Sequence, residues 1–190
     1  MLQQTHTSGR EHGLMVSYDG QKLLTSRIFA GLGEQHCYGN NTKHPPSFRL
    51  PFLPHGFKSL DPRIRNLALI HTHPTSDDIN HLPTTVISEA DILAYAQNSY
   101  NALVMIDKGG VHMLTGKDPL QIIDARIAHK IVEDAFKIVR SNSNTVVQLR
   151  EVIAKSLKHF GIRYYFSADK TPTEDGYLIL EDSASSPILT

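Results

Sequence analysis

The chain has one cysteine, no tryptophan, no net charge and no apolar run of bilayer-spanning length. Each shortage removes a class of protein. The single thiol, Cys37, cannot form an intramolecular disulfide, which fits a reducing compartment. A formal net charge of zero leaves no global field to draw in nucleic acid, an anionic membrane or an acidic substrate. A membrane-crossing helix needs about 20 apolar residues, and no stretch approaches that. The segment from Met1 to His12 is polar and lacks the apolar core of a secretory signal. Residues 1–10 therefore read as a flexible lead and residues 183–190 as a tail. The expected setting is cytoplasmic, or exported without a cleavable signal peptide, with no membrane and no nucleic-acid partner.

What remains is ordinary for a globular domain. Of the 190 residues, 40% are hydrophobic and 20% charged, enough for one substantial core. Leu14 to Tyr18 reads as a strand, Asp19-Gly20 as a hairpin turn, and Lys22 to Ala30 as the return strand. From Gly31 to Pro62 the chain is rich in Gly, Pro, Asn and His, with short extended pieces such as Phe48-Arg49-Leu50. Irregular stretches of that length are often functional or partner-binding. Leu67 to Ile70 is a buried strand by its continuous apolar run. A polar loop follows from Thr75 to about Thr85. A helix then opens at Ser88 and ends near Asn98. Ala102 to Ile106 is a second buried strand, which Gly109-Gly110 turns into Val111 to Leu114.

Two amphipathic helices come next. In the first, Ile123, Ile127, Ile131 and Ala135 share a stripe with Ala128, Val132, Phe136 and Val139, read as core. In the second, Val146, Leu149, Ile153, Leu157 and Phe160 recur at three and four. Thr145 with Gln148 forms its expected capping box, and Gly161 ends it. Tyr164 to Phe166 and Tyr177 to Leu180 are expected strands. The order of elements predicts a single mixed α/β domain over 11–182, with a motif-bearing region at 11–116 and C-terminal helices and strands at 119–182.

The chemistry concentrates around residue 71. His71 and His73 stand two apart on a predicted strand, so their rings point to one face and can reach one metal ion. Eleven histidines in 190 positions produce roughly 0.6 such pairs by chance, so the pair needs context. A buried strand delivers it, and Pro74 stops the strand immediately after. Strand ends in α/β sheets are where sites collect. Asp91, in the first turn of the next helix, adds an oxygen donor. Two histidines and one carboxylate leave a fourth zinc position open, the mark of a catalytic ion rather than a structural one. Ser88 and Asp91 are also a capping pair, and a cap that pins the first turn aims the ligand as well. The base that such a site needs is either Glu11, just before the first strand, or Glu34, in the irregular segment.

Glu11-His12-Gly13-Leu14, His71-Thr72-His73-Pro74 and Ser88-Glu89-Ala90-Asp91 together resemble the JAMM motif of the MPN/JAB (JAMM/MPN+) metalloprotease family. The resemblance spans about Glu11 to Leu114. It implies a cytidine-deaminase-like, curved mixed β-sheet packed by helices. It also implies one catalytic zinc ion held by His71, His73 and Asp91. Glu11 is then the general base and acid, and Ser88 helps hold the oxyanion. The implied activity is hydrolysis of peptide or isopeptide bonds in a protein or peptide substrate, ubiquitin-like conjugates included. Two spacings differ from the family's. One residue, His12, separates Glu11 from Gly13. Thirteen residues, Thr75 to Ile87, separate Pro74 from Ser88, which implies an inserted loop at the rim carrying recognition.

Other polar features have plainer readings. His36, Cys37, His44 and His55 match no standard zinc spacing and read as loop residues rather than a second metal site. His12, His81 and His112 read as ordinary surface or packed histidines. His71-Thr72-His73 followed by Ser76-Asp77 also resembles the opening of PHP-type phosphoesterases, which require further ligands. His112, His129 and His159 form no such group in the predicted elements. A third reading is a non-catalytic MPN scaffold module, though such modules typically lack the ligands present here.

Overall fold

Hydrophobic alternation along the strands decides which face of the sheet is covered. The computed structural model of the chain describes residues 3–4, 10–30, 35–36, 43–44, 65–73, 86–98, 100–118, 120–141, 146–168 and 181–182. The first strand, β1 (His12–Tyr18), pairs antiparallel with β2 (Leu23–Thr25), β3 (Phe29–Ala30) and β6 (Arg65–Thr72). A separate two-stranded pair joins β4 (Gln35–His36) to β5 (Lys43–His44). The chain continues through α1 (Glu89–Gln97), β7 (Ala102–Ile106), β8 (Val111–Thr115), α2 (Ala125–Ser141), α3 (Val146–Lys158), β9 (Arg163–Ser167) and β10 (Glu181–Asp182). Among the described residues the main sheet has eight strands in the order β10-β9-β8-β7-β6-β1-β2, with β3 also on β1. Only β6 and β7 run parallel, joined through α1, so the domain is a mixed α/β fold.

The core is built in cross-strand rows. Met15, Leu69, Leu103, Leu114 and Tyr164 are register partners in succession and all are buried. On them pack Ile92 and Tyr95 of α1, Ala128, Ile131 and Ala135 of α2, and Leu149, Ile153 and Leu157 of α3. The expected stripes of both amphipathic helices therefore face the core, with Ile127, Val132, Phe136 and Phe160 partly buried against it. The α3 terminus is a Schellman arrangement. Ile162 N donates to Leu157 O, Gly161 N donates to Lys158 O, and Gly161 takes the left-handed φ of 71° that only glycine adopts without strain.

Several boundaries differ from the sequence reading. The return strand from Lys22 to Ala30 is broken into β2 and β3. Ser26 causes the break, because its hydroxyl accepts from the Met15 amide at 2.9 Å, the place of a ladder partner. The turn itself is as expected, with Asp19 Oδ1 accepting from Gln21 and Lys22 amides at 2.9 Å and Gly20 at φ 95°. Val86 and Ile87, between the polar loop and the helix start, are buried in the core. Residues 74–85 lie outside the described residues, as do Glu34, Cys37, His55, His81, Phe48 to Leu50, Thr145 and Tyr177 to Leu180. So do the side chains of His36, His44, Val139 and Val146 and nearly all of the expected lead and tail. No described helix is long and apolar enough to cross a membrane.

Candidate metal centre

The rows of the sheet change character toward one end. Next to the all-apolar row comes Gly13, His71, Met105, His112 and Phe166. Continuing the register one step beyond β1, β6 and β7 puts Glu11, His73 and Asp107 in the following row. His73 N donates to Ile106 O at 3.0 Å, so the ladder does extend that far. The polar rows thus gather where the parallel strands β6 and β7 end and α1 begins, the usual place for a site in an α/β unit.

The α1 start fixes the third donor. Ser88 is the N-cap, and its hydroxyl accepts from the Asp91 amide at 3.1 Å. Asp91 Oδ2 in turn accepts from the Ser88 amide at 2.9 Å and the Ser88 hydroxyl at 2.7 Å. Ile87 before the cap and Ile92 after Asp91 are both fully buried, the pairing of a hydrophobic staple. Capping and ligand placement coincide in one carboxylate. Oδ2 holds the helix end, and Oδ1 lies 2.9 Å from His71 Nε2.

His71 Nε2 and His73 Nε2 are 3.1 Å apart, and Asp91 Oδ2 is 3.4 Å from His73 Nε2. A tetrahedral ion with bonds of about 2.0–2.1 Å needs ligand atoms roughly 3.3 Å from one another. His71 Nε2 is 2.9 Å from Asp91 Oδ1 and 3.1 Å from His73 Nε2, close to that edge, and the donor set of two imidazoles and one carboxylate suits a divalent metal. The residues therefore fit a metal ion, and His71, His73 and Asp91 could hold one. Among the described residues, His112 and His129 do not join this group. His112 is buried beside Tyr164, and His129 is exposed, 2.7 Å from Glu89 across α1 and α2.

Glu11 completes the arrangement. Its Oε1 lies 3.7 Å from His73 Nε2. His71 is 3% exposed, His73 and Asp91 7% each and Glu11 9%, so four ionisable groups share one pocket nearly closed to water. Burial opposes a charged His73, but the Asp91 carboxylate outweighs it, Glu11 and Asp107 add to it, and His73 is raised to about 9. Burial likewise opposes a charged Asp91, and His71 with His73 overcomes it and holds the carboxyl well below its usual range. Of the sequence candidates, the structure brings Glu11, His71, His73, Ser88 and Asp91 together. His12 alternates to the other face of β1 from Glu11, its ring Nδ1 3.0 Å from Arg10 O, while its amide and carbonyl are bonded to the Thr72 hydroxyl at 3.1 Å.

Asp107 was not singled out in the sequence. It directly follows the buried strand β7, and its place beside the site comes from the parallel pairing of β7 with β6, which no local pattern encodes. No protein-family model, no curated protein and no solved structure matches this chain.

Proposed function

We propose that the chain is a zinc-dependent hydrolase of peptide or isopeptide bonds with a JAMM-type site and an MPN/JAB-like fold. The observation that carries this reading is the convergence of His71, His73 and Asp91 donor atoms on one point, within 4.8 Å of one another, with the Glu11 carboxylate beside them. The parallel β6–α1–β7 unit that positions the ligands, within a mixed sheet covered by helices, supports it. A zinc ion there supplies Lewis acidity, lowering the pKa of a coordinated water to about 7 and polarising a carbonyl.

The chain's own residues do the rest. Glu11, desolvated at the pocket edge, accepts the proton of the attacking water and returns it to the leaving amine. His71 and His73, buried at the strand end, keep two donors fixed without reorganisation. Asp91, tied to the helix cap, cannot swing away. Ser88 reaches the oxyanion by turning its hydroxyl proton from Asp91 Oδ2, while its backbone amide keeps the cap.

One observation favours a second reading, a metal-holding module without turnover: the Ser88 hydroxyl is engaged with Asp91 both as donor and as acceptor. Purified protein separates the two. The hydrolase reading expects one zinc ion per chain and cleavage of peptide or ubiquitin-type isopeptide substrates that stops with a chelator and returns with zinc. Stoichiometric zinc without cleavage across such a panel favours the module, and absence of zinc overturns both.

A further inference from the structure

His73 has an acidic neighbour on each side. Glu11 precedes β1 and Asp107 follows β7, and the sheet register sets both opposite His73 on the same face. Neighbouring strands lie about 5 Å apart, so the two acidic residues stand on either side of His73 in that row, with Glu11 Oε1 3.7 Å from His73 Nε2. The two differ in access. Glu11 keeps 9% of its surface exposed, whereas Asp107 is fully buried. Asp107 therefore cannot meet a substrate or exchange protons with one.

Its placement is nonetheless heavily determined. Asp107 N donates to Gly110 O at 3.0 Å, closing the turn between β7 and β8, and Asp107 Oδ1 accepts from Gly110 N at 2.8 Å. The turn is pinned against β9, since a Cβ on Gly110 would meet Ser167 O at 2.1 Å and the Phe166 ring at 2.6 Å. Asp107 Oδ2 lies 3.4 Å from His112 Nε2. His112 Nδ1 is 2.7 Å from the Tyr164 hydroxyl. Tyr164 is buried, which raises it and keeps its proton on; when that hydroxyl donates to Nδ1, the neutral His112 carries its proton on Nε2, on the Asp107 side. Burial opposes the Asp107 charge, but His112 and the amides of Gly110 and Gly109 outweigh it and keep the carboxylate ionised. A buried anion held this firmly, with one oxygen short of a close hydrogen bond, is costly to the fold unless positive charge lies near, and the Arg150 guanidinium on α3 supplies part of it.

We infer that Asp107 is a positioning carboxylate for the metal centre, acting through His73 and braced by His112. This rests on the zinc reading above. Its fixed charge favours a divalent ion in the pocket and holds the His73 side of the ligand set on its closed flank, leaving Glu11 free for the proton work. A fixed negative charge close to a ligating imidazole favours a bound cation through Coulomb attraction, more strongly in a buried site than in water.

The test is zinc affinity of the full chain by chelator competition, together with the visible spectrum of the cobalt-substituted protein. Asp107→Asn keeps an oxygen for the Gly110 amide and removes the charge. It is expected to weaken zinc binding about 10–100-fold and to alter the cobalt bands. Asp107→Ser, smaller and still an acceptor, repeats the measurement and gives a similar fall. Ile153→Val, a core truncation on α3 costing about 0.5–1.5 kcal/mol, controls for stability and leaves zinc affinity unchanged. Folded Asp107→Asn or Asp107→Ser with wild-type affinity and spectrum overturns this inference alone. An equal loss in Ile153→Val reduces Asp107 to a structural role and overturns it too. Wild-type protein that binds no zinc overturns it together with the reading on which it rests.

Discussion

His73 and His112 are both buried on the helix-covered face of the sheet, on strands separated only by β7, yet their surroundings push them in opposite directions. Burial disfavours charge in both. At His73 it loses to Asp91, Glu11 and Asp107, and the ring is raised to about 9. At His112 it wins over Asp107, with Arg150 and His73 adding to it, and the ring is lowered. The difference lies in the partners. His73 converges on a second imidazole and two carboxylates, an arrangement that costs free energy until a cation arrives. His112 sits between one carboxylate, 3.4 Å away, and one neutral phenol at hydrogen-bond distance. Burial alone does not separate a ligand from a packing residue; the count and aim of the oxygen and nitrogen atoms around it do.

The sharpest way to break this comparison is to delete each ring. His73→Ala, or His71→Ala, removes a ligand and is expected to take zinc from one ion per chain to almost none, abolishing hydrolysis. His112→Ala leaves the ligand set and removes core volume and the Tyr164 partner, so it costs about 2–4 kcal/mol of stability with zinc retained. Elemental analysis beside thermal melts reads both. Zinc lost in His112→Ala at full fold, or kept in the His71/His73 double variant, would place the metal elsewhere.

Next in size is Glu11→Gln. The amide keeps shape and bulk but cannot take a proton, so kcat should fall about 10²–10⁴-fold with zinc unchanged. Glu34→Gln is the matched comparison. Full turnover in Glu11→Gln and loss in Glu34→Gln would move the base to the irregular segment.

How far the sequence discloses this site depends on the element. Residues 102–106 alternate little and are apolar throughout, and they form β7 with those bounds. Ser88 and Asp91 announce α1 through the cap itself, and the helix starts where the cap puts it. His71 and His73 are legible as a same-face pair because strand periodicity is two. The break at Ser26 is not legible, because it depends on that hydroxyl finding the Met15 amide across the hairpin. Asp107 is equally hidden: its meaning comes from the parallel register of β6 with β7, a long-range pairing that no local pattern encodes. His112 reads as a packed histidine, and it is one, but its tie to Asp107 emerges only when β8 folds back on β7.

A smaller effect follows from protonation. Zinc must displace the proton that Asp91 and Glu11 hold on His73, so apparent affinity should rise about tenfold per pH unit and level off above about 9. The metal-free fold shows the opposite signs for the two rings. The raised His73 stabilises the folded state fully below the ordinary value of 6.5, and this is lost as pH rises through about 9. The lowered His112 contributes above 6.5 and loses that contribution as pH falls below it. Chelator competition across this range, with denaturant melts of the metal-free protein, checks both. An affinity independent of pH would mean that His73 is already unprotonated in the pocket.

The smallest expected change is at Arg150, whose charge helps to keep His112 neutral. Its guanidinium carbon lies 3.4 Å from the Phe166 ring centroid, and Phe166 is the register partner of His112. Its Nε is buried with no hydrogen-bond partner. The stacking contributes about 0.5–2 kcal/mol, and the unsatisfied Nε costs about 1–3 kcal/mol, so the two nearly cancel. Arg150→Met keeps the aliphatic stem over the ring and removes both terms. Stability should therefore change by no more than about 1 kcal/mol. The His112 titration, followed by NMR, should move upward, because a nearby positive charge has gone while Asp107 remains. His73, closer to Asp91 and Glu11 than to α3, should hold its value. A His112 that does not move would show that burial alone sets it. A His73 that moves as far as His112 would show that the two rings form one coupled network, and the contrast between them would no longer stand.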